Sequence, residues 1–149
     1  MYPGIAGLVL ALFITIDSIV IGGGPCFNVP AFMISVVAPL GLGIVSFGPK
    51  DFMSAFRALR LLVLQSKPED CSLRNRSVLL GVITHVYATG FVGTLVGFTQ
   101  ILYNCTDYSV YPLGSAVALL TLLYSMLFAE FILRPVVRRI EGEMEEKNR

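Results

Sequence analysis

Gly90–Phe98, GFVGTLVGF, and Ser115–Ser125, SAVALLTLLYS, decide the fold of this chain. They lie in two long apolar segments between Val78 and Pro135, separated by a short polar connection that carries Asp107. A helix needs about 20 apolar residues to cross the hydrocarbon of a bilayer, and both segments reach that length. Their few hydroxyls stand among small residues, the composition of helix faces that pack closely in lipid.

The rest of the chain has the same character. With 55% hydrophobic residues and a mean hydropathy of +0.76, its 149 residues offer too little polar surface to coat a water-soluble domain. Apolar runs at about 4–21, 30–47, 78–102 and 113–133 predict an all-α membrane protein with four transmembrane helices in a single membrane domain, 1–149. The first two runs are at the lower length limit and read as tilted partner helices. Run 4–21 lacks a basic leading region and contains Asp17, which favours a span over a cleaved signal peptide. Asp17 falls about one turn from the outer glycines, a helix-end position.

Charge placement sets the expected topology. Six basic residues fall between the second and third runs (Lys50, Arg57, Arg60, Lys67, Arg74, Arg76) and five follow the fourth (Arg134, Arg138, Arg139, Lys147, Arg149). The positive-inside rule puts both groups, and both termini, in the cytoplasm. A formal net charge of +1 carries no signal for a nucleic-acid partner.

In the cytoplasmic segment 48–77, Phe52, Phe56, Leu59 and Val63 recur at helical steps with Arg57 and Arg60 elsewhere on the wheel. Residues 51–65 therefore read as a short amphipathic helix, or as a cytoplasmic extension of the second span, ending before Lys67–Pro68. The tail 134–149 is cytoplasmic, and from Glu141 it reads as a polar, frayed helix end.

Both long runs carry a face of small residues. Gly90, Gly93 and Gly97 remove side-chain bulk from the third run, and Gly114, Ala118, Thr121 and Ser125 follow at steps of four, three and four on the fourth. Such a stripe faces another helix or a pore rather than lipid. Thr94 and Thr121 stand on these runs, where a threonine hydroxyl commonly bonds the carbonyl one turn back.

GFVGTLVGFTQIL (90–102), AVALLTLLYSMLFA (116–129) and RPVVRRIE (134–141) resemble the last two spans of the MotA family of flagellar stator proteins, within the wider MotA/TolQ/ExbB group. GGGPCFNVPAF (22–32) and FGPKDFMSAFRAL (47–59) agree with that family in order. The resemblance implies a channel subunit of an ion-driven rotary motor. Five copies would form a ring around two copies of a MotB-like single-span partner (TolR- or ExbD-like in the wider group), whose Asp takes up the ion. It places the chain in the bacterial inner membrane, implies no cofactor, and puts Thr94 and Thr121 on the ion pathway. It also makes Pro135 the proline that ends the fourth span. A TolQ/ExbB-like energiser of an envelope process and a non-conducting membrane scaffold are the alternatives.

The chain departs from that pattern at Leu122, where many relatives have a second Thr, and near Tyr87, where many have a Pro. The segment between spans two and three lacks the family's large cytoplasmic domain. Leu122, with the family's general use of protons, favours H+ over Na+ as the transported ion.

The remaining polar residues read individually. Glu130 precedes Arg134 by four residues, the spacing of a helix-face ion pair, with an ion exit as the sharper role. His85 reads as a helix contact, since no metal-ligand set accompanies it. Cys26 and Cys105 share the outer side while Cys71 does not, leaving one possible disulfide or three free thiols. Asn104–Thr106 matches a glycosylation sequon without meaning in a bacterial inner membrane. There is no P-loop lysine, metal-ligand spacing or nucleophile–base pair, so no enzyme is expected.

Overall fold

The computed structural model describes residues 28–57, 73–104 and 111–147, all of them helical apart from Asn28 and Gly48. Helix α1 runs over Val29–Phe47, α2 over Pro49–Arg57 and α3 over Leu73–Asn104. Helix α4 consists of Tyr111–Leu127, Phe128–Leu133 and Arg134–Lys147 without a break. Among the described residues, α1, α3 and α4 are long and apolar enough to cross a membrane. The span expected at 4–21, Asp17, Cys26, Cys71 and Cys105 lie outside the described residues.

Local chemistry explains the helix boundaries. Asn28 caps α1, its Oδ1 accepting the Ala31 N–H at 3.0 Å, and Pro30 occupies the first turn, where a missing N–H costs nothing. Gly48 ends α1 at φ 81°, a left-handed conformation that suits glycine, and donates its N–H to the Ile44 carbonyl at 2.9 Å. That turn starts α2 at once, with Asp51 in its first turn and Arg57 in its last, both favourable to the helix dipole. Of the amphipathic helix expected at 51–65, residues 51–57 lie in α2, which buries Phe52 and Ala55, and the remainder lies outside the described residues.

Two prolines act differently from the expectation that a proline closes a helix. Pro39 and Pro135 each follow a π-helical stretch, Met33–Val37 and Phe128–Leu133. A proline at position i has no N–H for the carbonyl at i−4, and its ring presses on that carbonyl. Widening the preceding turn relieves the clash: the Ala38 N–H bonds Met33 O, and the Arg134 N–H bonds Ala129 O, each five residues back. Pro135 therefore does not end the helix, which continues as regular α-helix to Lys147. The frayed end expected from Glu141 is likewise helical as far as Lys147.

Helices α3 and α4 form an antiparallel hairpin, with Ile101 near Gly114 at one end and Arg76 paired with Glu141 at 2.6 Å at the other. The apolar core lies toward the arginine-bearing end. There Phe52 and Ala55 of α2, Leu79, Val82 and Val86 of α3 and Leu133, Val136 and Ile140 of α4 belong to one buried cluster. Large apolar side chains elsewhere point outward, among them Val45 at 83% and Leu102 at 70% exposure. A water-soluble bundle would bury such residues, whereas lipid solvates them. The chain is a helical membrane protein.

Leu79 is fully buried, so Leu79→Ala should lose about 2–4 kcal/mol through the cavity it leaves. Val45→Ala, on the outer surface, should stay within about 0.5 kcal/mol of the parent. Unfolding in detergent micelles, followed by helical circular dichroism, checks both.

Candidate functional site

The small-residue faces of α3 and α4 meet each other. A Cβ on Gly90 would lie 2.3 Å from Ser125 Oγ, and one on Gly97 2.9 Å from Ala118 Cβ. A Cβ on Gly93 would lie 2.7 Å from both Thr121 Cγ2 and Ile34 Cγ2 of α1, and one on Gly114 3.0 Å from Ile101 Cγ1. Real Cβ atoms essentially never sit at the separations found at Gly90, Gly93 and Gly97, so glycine at 90, 93 and 97 sets how closely the backbones approach. The stripe that faces another helix or a pore in the sequence thus faces a helix of its own chain.

Close approach brings carbonyls within reach of hydroxyls. Thr94 is buried; its hydroxyl bonds the Gly90 carbonyl at 2.9 Å and lies 3.2 Å from the Ala118 carbonyl across the interface. Ser125 Oγ donates to the Thr121 carbonyl at 3.0 Å, and Ser35 Oγ of α1 approaches the same oxygen at 2.7 Å and Ala31 O at 2.8 Å. Each hydroxyl has one proton, so the paired distances describe a shared donation. The donation leaves each hydroxyl's lone pairs available as acceptors. Three helices are joined at this polar point, and Ser35, fully buried, was not singled out by the sequence. Its signal is a hydroxyl four residues before Pro39 in the middle of an apolar run whose other hydroxyl, Ser46, stands at the end.

Beside this point an open cleft of about 570 Å³ runs between α1, α3 and α4. Gly93, Gly97, Gly114, Ala118 and Thr121 form part of its wall, and Asn28 and Gln100 are the amide side chains on it. Thr121 is thus at once buried against Gly93 and a member of the cleft wall, whereas Thr94 lies within the α3–α4 interface. Asn28 is held by its backbone N–H donating to Tyr124 Oη at 3.2 Å.

A second polar group lies closer to the arginine end. Glu130 pairs with Arg134 at 3.0 Å and accepts the Tyr87 hydroxyl from α3. The sequence spacing anticipates the pairing with Arg134, but Tyr87 enters only through helix register. His85 contacts α1, with Nε2 3.2 Å from Ser46 Oγ and its ring beside Phe47. Pro135 lies one turn beyond Glu130, outside both groups.

No family model matches the chain. It is 44% identical over 55 residues to Motility protein A of Cereibacter sphaeroides, covering 37% of this chain and 22% of that protein. A match to Motility protein A of Aquifex aeolicus is 41% identical over 54 residues, covering 36% and 21%. The uncharacterized protein YtxD of Bacillus subtilis is 37% identical over 60 residues, covering 40% and 22%. The matched stretch spans about a fifth of the length of each of these relatives. The similarity supports a distant MotA-like relationship.

Gly90→Ala should destabilise the bundle by about 1–3 kcal/mol, because the added methyl meets Ser125. Ser125→Gly on the same chain should recover part of that loss. Gly41→Ala, with nothing within 4 Å of its Cβ, should cost nothing and gain up to about 1 kcal/mol of helix propensity. Detergent unfolding of the single and double variants gives the comparison.

Proposed function

We propose that this chain is a MotA-like channel subunit of an ion-driven motor, a homopentameric ring around a dimeric MotB-like partner. The observation that carries the reading is the local similarity to Motility protein A in two organisms. A helical membrane bundle agrees with it. In this reading the partner supplies the carboxylate that takes up a proton, and this chain supplies neutral oxygens beside it. Neutral ligands suit conduction because they bind an ion without holding it tightly. Thr121, on the cleft wall, and Thr94, behind it, are the proposed pathway hydroxyls.

The non-conducting scaffold draws support from one observation. Thr94 is buried and shares its proton between two carbonyls, an arrangement sufficient to explain its presence as a helix–helix fastener.

The two readings separate by experiment. Thr94→Val and Thr121→Val keep the shape and remove the hydroxyls. If the chain conducts, the double variant should still assemble with its single-span partner, while proton flux in reconstituted vesicles falls, because polar groups lining the path have been removed. Flux equal to the parent removes both threonines from the pathway. Imaging of the co-purified complex counts the subunits, and any ring other than a pentamer around a partner dimer rejects the stator arrangement.

A further inference from the structure

Glu130 is a carboxylate within the apolar part of α4, four residues before Arg134 and thus about 6 Å of helix rise from it. Burying an ion in such a place is costly unless partners balance it. Both partners here converge on one atom. The Tyr87 hydroxyl donates to Oε1, and the Arg134 guanidinium lies 3.0 Å from the same Oε1. Both of these contacts fall on Oε1, and the side chain is 40% exposed. A carboxylate held for structure alone gains by engaging both oxygens, as in a bidentate arginine pair. Here Tyr87 and Arg134 meet at one oxygen of a side chain that stays part-exposed. The backbone beneath it is the π-helical stretch Phe128–Leu133 that Pro135 enforces.

We propose that Glu130 is a proton-accepting site on this chain, a second titratable carboxylate of the ion path at its arginine-bearing end. The inference rests on the channel reading above and adds a residue to it. A hydronium ion, or a protonated carboxyl group on the partner, transfers H+ to Oε2: an O–H bond forms there, and water or a carboxylate is left behind. Glu130 is then neutral. Breaking that O–H bond to water at the arginine end regenerates the carboxylate and completes the passage. Tyr87 on α3 and Arg134 on α4 are the titratable or charged groups that meet Glu130, and both act as positioning residues through Oε1. An amide at 130 keeps the size and an acceptor oxygen but takes up no proton in this range.

Two measurements on the full chain test the site. In lipid vesicles without partner, infrared difference spectra on acidification should show a protonated-carboxyl band that disappears in Glu130→Gln and shifts in Tyr87→Phe. In vesicles with the partner, pyranine-reported proton flux should fall about a hundredfold in Glu130→Gln, the scale of losing one positioned proton-transfer group. Its dependence on pH at the arginine side should flatten, and Glu130→Asp should restore part of the flux with a displaced pH profile. A Glu130→Gln chain that keeps the infrared band and conducts with the parental pH profile shows an ion pair that only fastens helices, and overturns the site. If Glu130→Gln fails to assemble, Glu130→Asp decides: an unchanged band and pH profile overturn the proposal. A parent complex without flux overturns the channel reading, whereas parental flux with an unaffected Glu130→Gln overturns this site alone.

Discussion

Lipid exerts no hydrophobic pressure to hold one helix against another, so contact within the bundle depends on forces that act only at short range. Dispersion and interhelical hydrogen bonds both weaken within about an ångström of optimal separation. The constraint on which this structure depends is therefore how near the backbones of α3 and α4 can come. Glycine at 90, 93 and 97 sets that distance, with Ser125, Thr121 and Ala118 as the largest groups that fit opposite. Once the backbones are that close, Thr94 reaches the carbonyl of the facing helix, and Ser35 joins α1 to the same polar point.

The arginine end is built on another principle. Phe52, Leu79, Leu133 and Ile140 are large members of one buried cluster, so density comes from side chains rather than from the approach of backbones. The ion pairs Arg74–Asp51 and Arg76–Glu141 border this core and are partly exposed, so they contribute orientation more than energy. Small-residue packing and large-residue packing thus divide the length of one hairpin between them.

Much of this is legible in the amino-acid sequence. Length and hydropathy gave helices 30–47, 78–102 and 113–133 close to where α1, α3 and α4 lie, and spacing gave the small faces and the Glu130–Arg134 pair. Periodicity reports the direction in which a face points, however, and not what stands opposite. It could not choose between a pore and a local backbone bond for Thr94, nor bring Tyr87 to Glu130, since the contacts across α3 and α4 join residues 24 and 43 positions apart and depend on the register of the two helices. Pro135 misled for a different reason. The rule that proline closes a helix assumes a regular turn before it, and the π-helical stretch removes that assumption.

That same stretch has a mechanical consequence. A helix stopped at Pro135 would hand over to a loop, and any twist applied in the membrane would relax there. Helix α4 instead runs without interruption from Tyr111 to Lys147, roughly 55 Å at 1.5 Å per residue. The helical path continues through Pro135, where the widened turn takes the place of the bond that proline cannot make. Near its far end Glu141 couples this shaft to Arg76 at the root of α3. The hairpin is thereby continuous from its small-residue packing to the arginine end, with no loop between the two.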